Sequence, residues 1–146
     1  MTAVFLVTHT QYTITLCVSC LVIKMDTLNN HHAVFEQQFW NKEAAMNRLG
    51  GNEGLLNRIV EMFLAQIAQK QQALHKAVSE QDIEGVRFTS HAMKGVSGDV
   101  GADAVREKAS SIENKAKRND LTDIAQDIQE LDSLIEHTIE VMRSSK

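Results

Sequence analysis

The 146-residue chain has no proline at all, two cysteines and only 5% aromatic residues. Without proline nothing in the covalent chain forces a helix to stop or kink. Two cysteines, Cys17 and Cys20, cannot supply a disulfide framework, so the fold must rest on apolar packing. One C-x-x-C pair with no second pair and no strand–helix–strand pattern around it is incidental as a metal or redox motif. Few aromatics leave the core to aliphatic side chains, and 43% of all residues are apolar. The net charge of −4 is spread over interspersed acids and bases, which excludes the basic face that nucleic-acid binding needs. The length allows one domain with one core and leaves no room for a separate nucleotide-binding domain.

Formal charge is also absent from residues 3–23, which are rich in Val, Thr, Leu and Ile. Three readings stay open for this segment. It is long enough to span a bilayer, but Thr8, His9, Thr10, Gln11, Thr13, Thr15 and Ser19 dilute it. It alternates like a strand from Tyr12 to Ser19, with no second strand to pair with. Or it lies upstream of a start at Met25 and belongs to no folded unit. A signal peptide fits worse, because the first lysine, Lys24, follows the apolar run instead of preceding it. Residues 1–30 are therefore expected to form an extension and residues 31–146 the domain.

From Phe39 onward Ala, Leu, Ile, Glu, Gln and Lys dominate, a helix-forming composition. Asn41 predicts the cap of a short helix over residues 41–49, which Gly50 and Gly51 stop. Asn52 starts a long helix to about residue 79, with Leu56, Val60, Phe63, Ile67, Leu74 and Val78 on its buried stripe. Asp82 caps a third, with Ile83, Val86, Ser90, Met93, Ser97 and Val100 inward, and Gly101 ends it. Val105, Ala109, Ile112 and Ala116 carry a fourth, closed by the polar run from Lys117 to Asp120. The last starts near Asp120 or Thr122 and buries Ile124, Ile128, Leu131, Ile135 and Met142. The predicted fold class is all-α: an antiparallel up-down-up-down four-helix bundle with a short additional N-terminal helix.

On the third helix the core stripe centres roughly 130° from His91, so its imidazole is expected to face solvent. A lone exposed histidine is ordinary surface, but its neighbours are not. Arg87 and Phe88 precede it on the same stripe, and Lys94, Gly95 and Gly98 follow at three, four and seven positions. Each glycine inside a helix costs roughly 0.5–1 kcal/mol relative to alanine, so two on one exposed stripe ask for a reason. Room for a second molecule is one reason, and close helix packing by Gly95, Gly98 and Gly101 is another. A neutral imidazole is a competent nucleophile towards phosphorus, and an ammonium one turn away can stabilise the charge that follows. Six histidines, His9, His31, His32, His75, His91 and His137, raise the question of a metal-binding bundle. They lack the recurrent His-Glu pairing on facing helices that such a site needs, and His75 and His137 read as exposed.

The stretch S-H-A-M-K-G-V-S-G-D-V-G-A, residues 90–102, resembles the histidine-containing phosphotransfer (HPt) family, whose central pattern is H-x-x-K-G followed by small residues and G-A. The likeness extends from the LGGNEGLL entry of the long helix through Val105, Ile112 and Glu113, over roughly residues 39–142. The resemblance implies that His91 receives phosphate on Nε2, that Lys94 neutralises it, and that Gly95, with Gly98, leaves room for a receiver domain. Glu113 matches the position from which a polar side chain supports the histidine, although a surface glutamate is an equal reading. It further implies a cytoplasmic, monomeric, bacterial-type phosphocarrier with no kinase activity and no cofactor of its own. Its partners would be response-regulator receiver domains or a hybrid sensor kinase, with magnesium on the receiver. A module that binds receivers without phosphotransfer is the alternative.

Overall fold

The computed structural model describes residues 39–145, and the expectations for residues 1–30 lie outside them. Five helices and no strand occur among the described residues: α1 (Lys42–Arg48), α2 (Glu53–Ser79), α3 (Ile83–Val100), α4 (Asp103–Lys117) and α5 (Ile124–Ser144). No helix among them is long and apolar enough to cross a membrane.

The first three helices start where short side chains accept a free backbone N–H. Asn41 caps Ala44 at 3.0 Å, Asn52 caps Leu55 at 2.9 Å and Asp82 caps Gly85 at 3.0 Å. The long α2, at 27 residues, buries Leu56, Val60, Phe63, Ile67 and Leu74 on one stripe, interrupted at Gln71, whose side-chain amide donates to Asp132 of α5 at 2.6 Å. It packs on α3 and α5, and α4 packs on α3 and α5 in turn, so the four long helices surround one core. Met93 and Val86 of α3, Ile112 and Val105 of α4, and Leu131 and Ile135 of α5 meet there, all virtually inaccessible. Each such side chain contributes roughly 1.5–3 kcal/mol of burial.

Val78, Ile83 and Ile124 lie at the margin of the core and are not among its buried members. All three sit in the first or last turn of their helices. Ala77 takes the inward position near the end of α2 instead, against Gly85, where an added Cβ would lie 3.1 Å from the Ala77 methyl. The start of α5 is also later than expected, at Ile124. Asp120 accepts the N–H of Thr122 at 2.9 Å, and Lys115 reaches the Thr122 carbonyl at 3.2 Å. These side-chain bonds to backbone hold a turn that competes with helix, with Asn119 and Asp123 at positive φ.

Two long-range ties set the end of α3. The Trp40 indole N–H donates to the Val100 carbonyl at 2.8 Å, and the Asn41 N–H donates to Gly101 O at 2.9 Å. Gly101 lies in the left-handed region at φ +81°, and its own N–H and that of Ala102 close the last turn of α3. The chain thereby turns into α4 within two residues. On the opposite helix pair, Asp127 of α5 accepts from Lys108 at 2.7 Å and Lys115 at 2.5 Å, joining α4 to α5 through a buried carboxylate.

Candidate functional site

The inward stripe of α3 is Val86, Ser90, Met93, Ser97 and Val100, and the helical repeat therefore turns residue 91 away from the core. The His91 side chain is 67% exposed. Its Nδ1 lies 3.0 Å from Glu113 Oε1 on α4. An ionised carboxylate can only accept, so Nδ1 carries the proton and donates it, and the lone pair is left on the outward Nε2.

Glu113 is not a surface residue. Its side chain is 3% exposed, one position past the buried Ile112 on the face that α4 packs against α3. Three donors converge on it: Lys117 Nζ at 2.7 Å and His91 Nδ1 on Oε1, and Lys94 Nζ at 2.5 Å on Oε2. The hydrogen bond from Lys117 does most to hold its carboxyl at about 2, with Lys94 and then His91 adding to it against the opposing effect of burial. Sequence reasoning missed Lys117 by treating residues 117–120 as a polar helix end. Its signal was the i,i+4 spacing from Glu113.

The remaining stripe residues divide. An added Cβ at Gly95 would meet nothing within 4 Å, so the surface beside His91 and Lys94 is clear. At Gly98 the same Cβ would come within 3.2 Å of Arg106 Cδ from α4, so that position accommodates a neighbouring side chain. Phe88, one turn before His91, is 73% exposed and offers an apolar ring beside the imidazole. Arg87 is held one turn further back, its guanidinium donating to the Glu84 carboxylate with the shortest contact at 2.7 Å. Lys94 is therefore the cation closest in role to His91, and both are tied to one carboxylate. Among the described residues no group of three His, Cys, Asp or Glu side chains could hold a metal ion.

Two expectations test this geometry directly. Gly95→Ala should raise stability by about 0.5–1 kcal/mol, because the site is open and helical. Gly95→Trp should likewise keep its helicity by circular dichroism, whereas a loss of helix would show that a neighbouring side chain fills that surface. For Glu113 the carboxyl is ionised in the folded state well below its ordinary 4.5, so it contributes stability above that value and loses it as pH falls towards 2. Melts between pH 5 and 2 should show a stability loss larger by about 1–3 kcal/mol than that of Glu113→Gln, which keeps only the acid sensitivity of the other paired carboxylates such as Asp127. An identical acid slope in both proteins would show that the carboxyl is not held ionised by its lysines.

A family model described as Hpt domain matches residues 58–141, more than half of the chain. Comparison with curated proteins and with solved structures returned no significant match.

Proposed function

This chain belongs to the Hpt domain family, and on that premise we propose that it relays a phosphoryl group between receiver-domain aspartates through a phosphohistidine at His91. Hpt domains are phosphocarriers of two-component signalling that work with receiver domains and kinases. The observation that carries the reading for this chain is the state of the imidazole. Nδ1 is engaged by a buried, ionised carboxylate while Nε2 stands in solvent beside a cleared helix surface.

In the forward step Nε2 attacks the phosphorus of a receiver's aspartyl phosphate. The new N–P bond forms as the P–O bond to the aspartate breaks, and the carboxylate leaves with the electron pair. The Nδ1 proton stays on the ring, donated to Glu113, which offsets the positive charge that the ring gains. Lys94 stabilises the phosphoryl oxygens, Gly95 gives the receiver access, and Phe88 provides an apolar contact for it. Arg87 belongs to the rim of that surface, and Gly98 makes room for the Arg106 side chain of α4. The chain itself needs no cofactor for these steps, since magnesium resides in the acidic pocket of the receiver. The same reading makes it a cytoplasmic, bacterial-type monomer and orders the four long helices as an antiparallel up-down-up-down bundle, as their short links require.

The chemistry of the linkage is the test. Incubation with a radiolabelled, phosphorylated receiver domain and magnesium should move label to the chain in an acid-labile, alkali-stable form, on the peptide containing His91. A stable complex to which no label ever passes would instead make the chain a non-catalytic receiver-binding module.

A further inference from the structure

Lys94 is not free. Its ammonium sits 2.5 Å from Glu113 Oε2, so a phosphoryl group on His91 Nε2 would have to share its three N–H donors with that carboxylate. Glu113 is 3% exposed, and a carboxylate so buried is costly to strip of its cation. With Lys94 as its single counter-ion, Glu113 would compete with the phosphoryl group for one ammonium.

Resting on the phosphoacceptor reading of His91, we propose that Lys117 is a positioning residue of this site, a standing counter-cation for Glu113 that releases Lys94 to the phosphoryl group. Lys117 Nζ lies 2.7 Å from Glu113 Oε1, the same oxygen that accepts from His91 Nδ1. It comes from the same helix as Glu113 at i+4, so the pair persists whatever α3 does. Lys94 comes from α3, three residues from His91 and on its stripe, so a change of rotamer takes its ammonium from Oε2 towards Nε2. The carboxylate thus has one fixed cation and one exchangeable one. The hydrogen bond from Lys117 is also the largest single influence that keeps Glu113 ionised, in keeping with the fixed role. Lys117 touches neither His91 nor the reacting atoms in this arrangement and acts through Glu113 and Lys94.

The equilibrium of phosphotransfer between a phosphorylated receiver and the chain reads this out. Lys117→Ala should shift it about fivefold towards the receiver, the scale of a partly exposed ion pair, and Lys117→Arg should restore it. In a Lys94→Ala background the additional Lys117→Ala change should have little effect, because no lysine then needs releasing. Thermal melts of each variant show whether it is folded at the assay temperature, and arginine rescue separates counter-charge from packing. An unshifted equilibrium in Lys117→Ala, or the same fivefold shift with Lys94 already removed, would overturn the proposal while leaving His91 as phosphoacceptor. Failure of the unaltered chain to take label on His91 would remove the phosphoacceptor reading, and this proposal with it.

Discussion

Replacing His91 by glutamine is expected to abolish phosphoryl uptake from a phosphorylated receiver, by at least about a thousandfold, with stability changed by no more than about 0.5 kcal/mol. The two halves of this expectation have separate causes. In the proposed step Nε2 supplies the lone pair that attacks phosphorus, and an amide nitrogen has none to offer. The side chain is 67% exposed and, among the described residues, its one hydrogen bond runs from Nδ1 to Glu113. A glutamine amide N–H can donate to that carboxylate in its place, so the charge network of Glu113 with Lys94 and Lys117 need not rearrange. Label transfer and a thermal melt on the same preparation give both numbers. Transfer that persists in a folded His91→Gln protein would assign the phosphate to another side chain.

Gly101→Ala is expected to cost about 3 kcal/mol and lower the melting temperature by at least about 12 °C, the largest stability loss of any single methyl addition proposed for this chain. Two effects add. The residue sits at φ +81°, where an L side chain is strained, and its Cβ would lie 2.6 Å from the Asn41 carbonyl oxygen. That oxygen cannot retreat easily, because the Asn41 N–H is bonded to Gly101 O and Trp40 is bonded to Val100 O alongside. Gly50→Ala is the control: it has φ +64° but nothing within 4 Å of the added carbon, so it should show the conformational cost alone, about 1 kcal/mol. Equal melting temperatures for the two variants would mean that the junction of α1 with the end of α3 is looser than these contacts imply. Phosphotransfer by Gly101→Ala should fall only with the folded fraction, since His91 lies three helical turns away.

The extent to which the site could be read from the chain follows the range of the forces involved. The starts of α1, α2 and α3 were legible because Asn41, Asn52 and Asp82 bond backbone groups three residues on. The start of α5 was misread for a related reason. The turn before it depends on Lys115, seven residues away on the preceding helix, as well as on the local bond from Asp120. The apolar period placed His91 opposite the α3 core stripe, and its side chain is indeed largely exposed. The same period could not reveal which way Arg87 turns; the Glu84 carboxylate one turn back holds it.

The sequence alone determined the helices, the exposed imidazole with Lys94 and Gly95 beside it, and the likeness to phosphotransfer domains, because helix periodicity and capping act over one or two turns. Only the tertiary structure decided what surrounds that imidazole. Glu113 is 22 residues from His91 and 19 from Lys94, and nothing in the period of α4 distinguishes a buried carboxylate from an exposed one beside Ile112. Its burial follows from the packing of α4 on α3, and its charge is kept by two ammonium groups brought from different helices. Gly95 and Gly98 look equivalent in the sequence, yet one faces open space and the other faces Arg106. Such distinctions come from desolvation and from who the spatial neighbours are, and neither is set until the helices have met.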